Sequence, residues 1–142
     1  MSQTPFHLSI VTPERTIYDG KVTSVTLPGV DGYLGIWAHH APMVAAMRAG
    51  VLTFNDVDNP HRGLVYAVGG GFCEVSNNNL IVLVDSASAS GEIDFDSVRL
   101  KLRRMKDALK EHLNDASFDA EDAKRQIEIF EAQLKVGFTR EQ

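Results

Sequence analysis

The stretch LPGVDGYLGIWAHHAPMVAAMRAG, residues 27–50, decides the fold of this chain. It places glycines at 29, 32, 35 and 50, and a His-Ala-Pro corner at His40, Ala41 and Pro42. Two apolar runs, Leu34 to Trp37 and Met43 to Met47, lie between these punctuating residues. Glycine supplies the positive φ angles of tight turns, and proline fixes φ while removing a donor. Short apolar runs set between such residues read as strands turning sharply on one another. A helix of this length would tolerate neither the glycines nor Pro42.

On the N-terminal side, Phe6, Leu8 and Ile10 alternate with His7 and Ser9, the period of a half-buried strand. Thr12 to Arg15 turns it, and Ile17-Tyr18 opens a second short strand expected to stop at Asp19-Gly20. Lys21 to Leu27 is extended again. On the C-terminal side, Val51 to Phe54, Leu64 to Val68, Phe72 to Val75 and Leu80 to Val84 are further strands. The turn signals between them are Asn59-Pro60, Gly69 to Gly71 and Ser76 to Asn79. Many short strands so punctuated predict an antiparallel β-sandwich over residues 1–86. Its expected core is Leu8, Ile10, Val25, Leu27, Leu52, Val68, Ile81 and Leu83.

The pattern then changes. Asp85 to Gly91, DSASASG, is small, polar and unpatterned, so a linker is expected over residues 87–93 and a helical hairpin over 94–142. Val98, Leu102, Met105, Leu109 and Leu113 form one face of an amphipathic helix, with Asp94 or Asp96 placed to cap it. Asn114 to Asp119 breaks the pattern. Ala120, Ala123, Ile127, Phe130 and Leu134 form a second stripe, which Gly137 is expected to end. The fold class is therefore α+β, a sandwich followed by an antiparallel two-helix hairpin. One thin apolar stripe per helix buries little, so the hairpin must dock on the sandwich, on another protein, or on each in turn. Arg99, Arg103, Lys106 and Lys110 make a basic row beside the first stripe. Such a row is either a solvated helix face or a surface for an acidic partner.

A net charge of −5 argues against a general nucleic-acid binder. No apolar run approaches a membrane-spanning length. The start lacks the basic and apolar parts of a signal peptide, and a single cysteine, Cys73, fits a reducing compartment. A cytoplasmic setting is expected, with membrane association only through a partner.

No active site assembles from the residue types. The glycine clusters lead into strands, whereas a phosphate loop needs a helix N-terminus behind it. His39, His40, His61 and Cys73 lack metal-ligand spacing, and adjacent histidines in extended chain point to opposite faces. Cys73 sits among apolar strand residues, where cysteine is inert packing. Ser86, Ser88 and Ser90 lack the strand-turn-helix setting of a nucleophile.

Val25-Thr26-Leu27-Pro28-Gly29, Gly32-x-Leu34-Gly35-Ile36, His40-Ala41-Pro42, Gly50, Gly69-Gly70-Gly71-Phe72-x-Glu74-Val75 and Ile93-Asp94 follow one another in a specific order. In that order and spacing the chain resembles the ε subunit family of bacterial F-type ATP synthases, equivalent to mitochondrial δ. The resemblance runs essentially end to end. It implies a non-catalytic rotor subunit of the central stalk, coupling proton translocation through the c-ring to ATP synthesis. The implied partners are the γ subunit, the c-ring and the catalytic β subunits, at the cytoplasmic face of the cell membrane. It also implies that Asp31, Tyr33 and His40 belong to the c-ring and γ interface. The hairpin becomes an inhibitor of ATP hydrolysis, with Arg99, Arg103, Lys106 and Lys110 as its inhibitory surface. No cofactor is implied. Relatives that bind ATP on the hairpin resemble Ile/Leu-Asp-x-x-Arg-Ala at the helix start, and here Ser97 and Val98 hold the arginine and alanine positions.

Three classes of function follow. A rotary-ATPase stalk subunit accounts for the motif order and both structural parts. A small hydrolase or metalloenzyme needs a convergent site. A free-standing sandwich adaptor fits the fold and leaves the motif order unexplained.

Overall fold

The computed structural model describes residues 4–59 and 62–139. The Asn59-Pro60 turn signal and His61 thus fall partly or wholly outside the described residues. The described strands are β1 (Phe6–Val11), β2 (Thr16–Gly29), β3 (Gly32–Ile36), β4 (Met43–Met47), β5 (Gly50–Asp56), β6 (Gly63–Val68), β7 (Gly71–Ser76), β8 (Asn79–Val84) and β9 (Ala87–Ala89). A 3₁₀ turn, Ser90–Glu92, leads to helices α1 (Phe95–Glu111) and α2 (Ala120–Thr139).

The sheet folds over into a sandwich. One layer runs β1-β8-β7-β4, the other β3-β2-β5-β6-β9. β2 joins them, pairing β1 from Thr16 to Val22 and β5 and β3 from Val22 onward. Strict alternation puts Phe6, Leu8 and Ile10 of β1 inside, facing Val22, Val25 and Leu27 of β2 and Leu52 and Phe54 of β5. Each fully buried side chain of this kind stabilises by roughly 1.5–3 kcal/mol. Phe54 lies between Tyr18, tilted at a centroid distance of 4.5 Å, and Tyr66, stacked at 5.9 Å.

Several expectations need correction. β2 is one strand of 14 residues and does not stop at Asp19-Gly20. Gly20 pairs Leu8 in the ladder, and the Tyr18 ring lies over it. The pair β1–β8 is parallel, the exception among the described strand pairs, which are otherwise antiparallel. In β8 the buried residues are Leu80, Val82 and Val84, while Ile81 and Leu83 point outward. The expected linker is partly a strand: β9 pairs β6 with Ala89 opposite Tyr66 and Ala87 opposite Val68. Small polar residues suffice there because an edge strand is held by its backbone ladder.

Asp94 caps α1, its carboxylate accepting from Ser97 N–H at 3.2 Å, while Asp96 pairs Arg99 in the first turn. α1 ends at Glu111, so Leu113 lies beyond it and is exposed. Gly137 does not end α2. It sits inside the helix, where the Phe95 ring approaches so closely that an added Cβ would lie 3.1 Å from it.

Candidate docking faces

α2 has a second apolar face besides the one toward α1. Ala132 and Val136 pack on Val51 of β5 and Ala67 of β6, with Val65 and Ile93 at the margin. This caps the outer surface of the β5-β6 layer. Val136 is fully buried although only one helix covers the sheet there.

Among the described residues nothing covers the outer surface of the other layer. Phe72 of β7 pairs Leu83 of β8, Glu74 pairs Ile81, and Val44 and Ala46 of β4 continue the row. Val44 is 68% exposed, Phe72 60% and Leu83 52%. A contiguous patch of large apolar side chains on one face marks a docking surface. Sequence reading missed it by assigning Ile81 and Leu83 to the core. The available signal was that Leu80 to Val84 is apolar at both parities, as a strand covered on both faces would be.

At one end of the sandwich the β2–β3 turn carries Val30 and Asp31, both exposed, and Gly32 at φ 132°, a conformation reserved for glycine. Tyr33 is 55% exposed, yet its hydroxyl accepts from Val51 N–H at 3.1 Å. Between this turn and Met43 to Ala46 of β4 runs a groove of about 370 Å³. Val44 lines it, so the groove is continuous with the bare face. His40 lies beyond the far end of β3, its Nδ1 2.7 Å from the Ala41 carbonyl, so the structure does not group it with Asp31 and Tyr33.

The basic row does come together. Arg99, Arg103, Lys106 and Lys110 line one groove of about 340 Å³ with Leu102, Asp107 and Leu134. Arg99 is paired with Asp96 at 2.7 Å, and Lys106 reaches Glu131 of α2 at 3.7 Å.

Titratable groups elsewhere serve packing. Cys73 is in the core, where burial pushes its thiol up. His39 is exposed, and its backbone N–H donates to Asn78 Oδ1 at 2.8 Å. Burial and the bond to Asp56 raise the Tyr18 phenol, and that same bond holds Asp56 below the usual carboxylate range. Among the described residues no helix is long and apolar enough to cross a membrane.

Residues 5–90 match the family model of the ATP synthase delta/epsilon chain β-sandwich domain. The ATP synthase epsilon chain of Anaeromyxobacter sp. (strain K) is 40% identical over 118 residues, 82% of this chain and 87% of the relative. That of Syntrophomonas wolfei is 32% identical over 136 residues, 96% of this chain and 95% of the relative. The chain belongs to the ATP synthase delta/epsilon family. Its fold is also that of a chain in the mitochondrial ATP synthase of Euglena gracilis (OSCP/F1/c-ring), with TM-score 0.79 and 20% identity over 97% of this chain and 84% of the other. A central-stalk/c-ring chain of Tetrahymena thermophila ATP synthase matches at TM-score 0.55 and 15% identity, over 66% and 73% of the two chains. Membership in the delta/epsilon family gives the chain the rotor-stalk role that its motif order implied. In this delta/epsilon chain the motif glycines 29 and 32 build the exposed turn, and the Gly71-Phe72 motif opens the bare face.

Proposed function

We propose that the chain is a non-catalytic rotor coupler of an F-type ATP synthase, held peripherally at the cytoplasmic face of the cell membrane. The observation that carries this reading is the bare apolar face. A sandwich whose other outer layer is already capped by α2 leaves Val44, Phe72, Ile81 and Leu83 for a permanent partner, which in a stalk is the γ subunit. The adjoining groove and the exposed Asp31 and Tyr33 form the foot that meets the c-ring loops, and His40 lies at the margin toward γ. Cysteines introduced at Asp31 or Tyr33 cross-link to the polar loop of c under this reading. Cross-linking to catalytic subunits alone rejects it.

The hairpin is the brake. Its basic groove, Arg99, Arg103, Lys106 and Lys110, complements acidic loops of the catalytic β subunits. Exposed charge pairs contribute at most about 1 kcal/mol each, so several must act together and salt must weaken them. Truncation after Gly91 is expected to raise ATP hydrolysis in membrane vesicles while proton-coupled synthesis continues. Replacing the four basic residues by alanine gives a smaller rise in the same direction. Unchanged hydrolysis after truncation reduces the hairpin to a structural role, and lost coupling overturns the division of labour.

A further inference from the structure

The junction between sandwich and hairpin is tied down at one side chain. Glu92 closes the 3₁₀ turn, two residues before the cap of α1. Its Oε1 accepts from the backbone N–H of Ala89, the last residue of β9, at 2.9 Å. Its Oε2 accepts from Arg15 Nη2 at 3.3 Å, across 77 residues of sequence. Arg15 is itself held in place. The Thr12 N–H donates to the Arg15 carbonyl at 3.0 Å, and the Arg15 N–H donates to Thr12 Oγ1 at 3.3 Å. Thr12 is 9% exposed, so this turn is anchored on the sandwich. One carboxylate therefore joins the β1–β2 turn, the edge strand and the start of the hairpin.

The neighbouring residue offers no such side-chain restraint. A side chain at Gly91 would meet nothing within 4 Å, and the 3₁₀ turn around it is closed by the bond from Ile93 N–H to the Ser90 carbonyl at 3.2 Å. The hairpin meets the sheet through α2, with Ala132 and Val136 on Val51 and Ala67 and with Val65 and Ile93 at the margin. The chain between sheet and hairpin passes through this short turn, so a restraint on the turn bears on the docking equilibrium.

We propose that Arg15 and Glu92 form a clasp that keeps the hinge closed, and that its opening lets the two helices leave the sandwich. The effect of the clasp on hydrolysis rests on the reading of the hairpin as a brake; the clasp itself does not. Arg15 and Glu92 are 56% and 51% exposed, so the ion pair is solvent-screened and salt-sensitive. A pair of this kind biases a two-state equilibrium about two- to fivefold. That is a tuning device rather than a lock.

The test uses the full chain and a thiol introduced by Ala132→Cys, in a position 3% exposed when the hairpin is docked. It reacts with a maleimide only when α2 lifts off. The native Cys73, 1% exposed in the core, reports global unfolding in the same sample. Arg15→Gln and Glu92→Gln are each expected to raise labelling at position 132 about two- to fivefold at low salt, with the Cys73 rate unchanged. High salt brings the parent up toward these variants and leaves them unmoved. Glu92→Ala, which also removes the acceptor for Ala89 N–H, gives a larger rise. Combining Arg15→Gln with Glu92→Gln adds nothing beyond either alone. If both glutamine variants label at the parent rate while Glu92→Ala does not, Glu92 is only a local cap and the clasp is rejected. If Cys73 labelling rises in step with position 132, the variants act on the whole fold and the clasp is equally rejected. Faster labelling at position 132 alone, with unaltered hydrolysis in the assembled enzyme, upholds the clasp and sinks the brake.

Discussion

The two outer faces of the sandwich are covered in opposite ways. The capped layer meets α2 through small side chains, Val51 and Ala67 against Ala132 and Val136. The bare layer shows larger ones, Phe72, Leu83 and Ile81. Large apolar anchors dominate the energy of interfaces, and small ones give shallow contacts that separate readily. Under the proposal of a mobile hairpin, the face served by it makes the contact that comes apart. The face left to a partner is built for one that stays.

The largest effect that bears on this contrast is expected on the bare side. Phe72→Thr together with Leu83→Lys, a directly opposed pair, should weaken association with the stalk partner at least about 100-fold. The isolated chain should change its thermal midpoint little, because exposed substitutions stay within about 0.5 kcal/mol. A large fall in that midpoint by calorimetry would mean that the face is not bare. On the capped side, Val136→Ala removes two buried methyl groups and is expected to weaken docking by roughly 1–2 kcal/mol. It should leave partner binding intact, and thiol access at position 132 measures it. Equal losses of docking and partner binding would erase the distinction between the faces.

The smallest effect belongs to a site on neither face and calibrates the other two. Tyr18→Phe removes the donor to Asp56, so the Asp56 pKa should rise toward the ordinary carboxylate range, as followed by carboxyl NMR titration. The sign follows from linkage. A carboxylate with a lowered folded-state pKa contributes stability above its unfolded pKa and loses it as pH falls through the folded value. The parent should therefore keep this contribution further into acid than the variant, with docking and partner binding unaltered in both.

Most strands were legible because glycine, proline and asparagine mark their ends and β-branched residues fill them. Parity was not legible in β8. In Leu80 to Val84 every residue is apolar, so alternation carries no information, and the bare face went unseen with it. Gly20 read as a stop, yet a glycine covered by a neighbouring tyrosine ring passes through a strand. The α1-facing stripe of α2 was readable at its spacing. The sheet-facing one was hidden, since Ala132 and Val136 are small and interleave with the first. Gly137 looked like a terminator for the same reason that it is a contact, its lack of a side chain. The basic row was visible as a spacing, but only the packed hairpin shows it lining one groove with Leu102 and Leu134.

The unbroken run of β2 has a mechanical consequence. Fourteen residues of extended chain span roughly 45 Å, from the β1–β2 turn to the exposed turn at Val30-Asp31. Its ladder bonds to β1, β5 and β3 lie across the strand, so a tug on that turn is met by many of them at once, in shear. Two short strands hinged at Gly20 would unzip bond by bond. A single long strand ties the two layers into one arm, able to pass a sideways load between its ends through the bulge at Val22 to Ser24 where it changes partners.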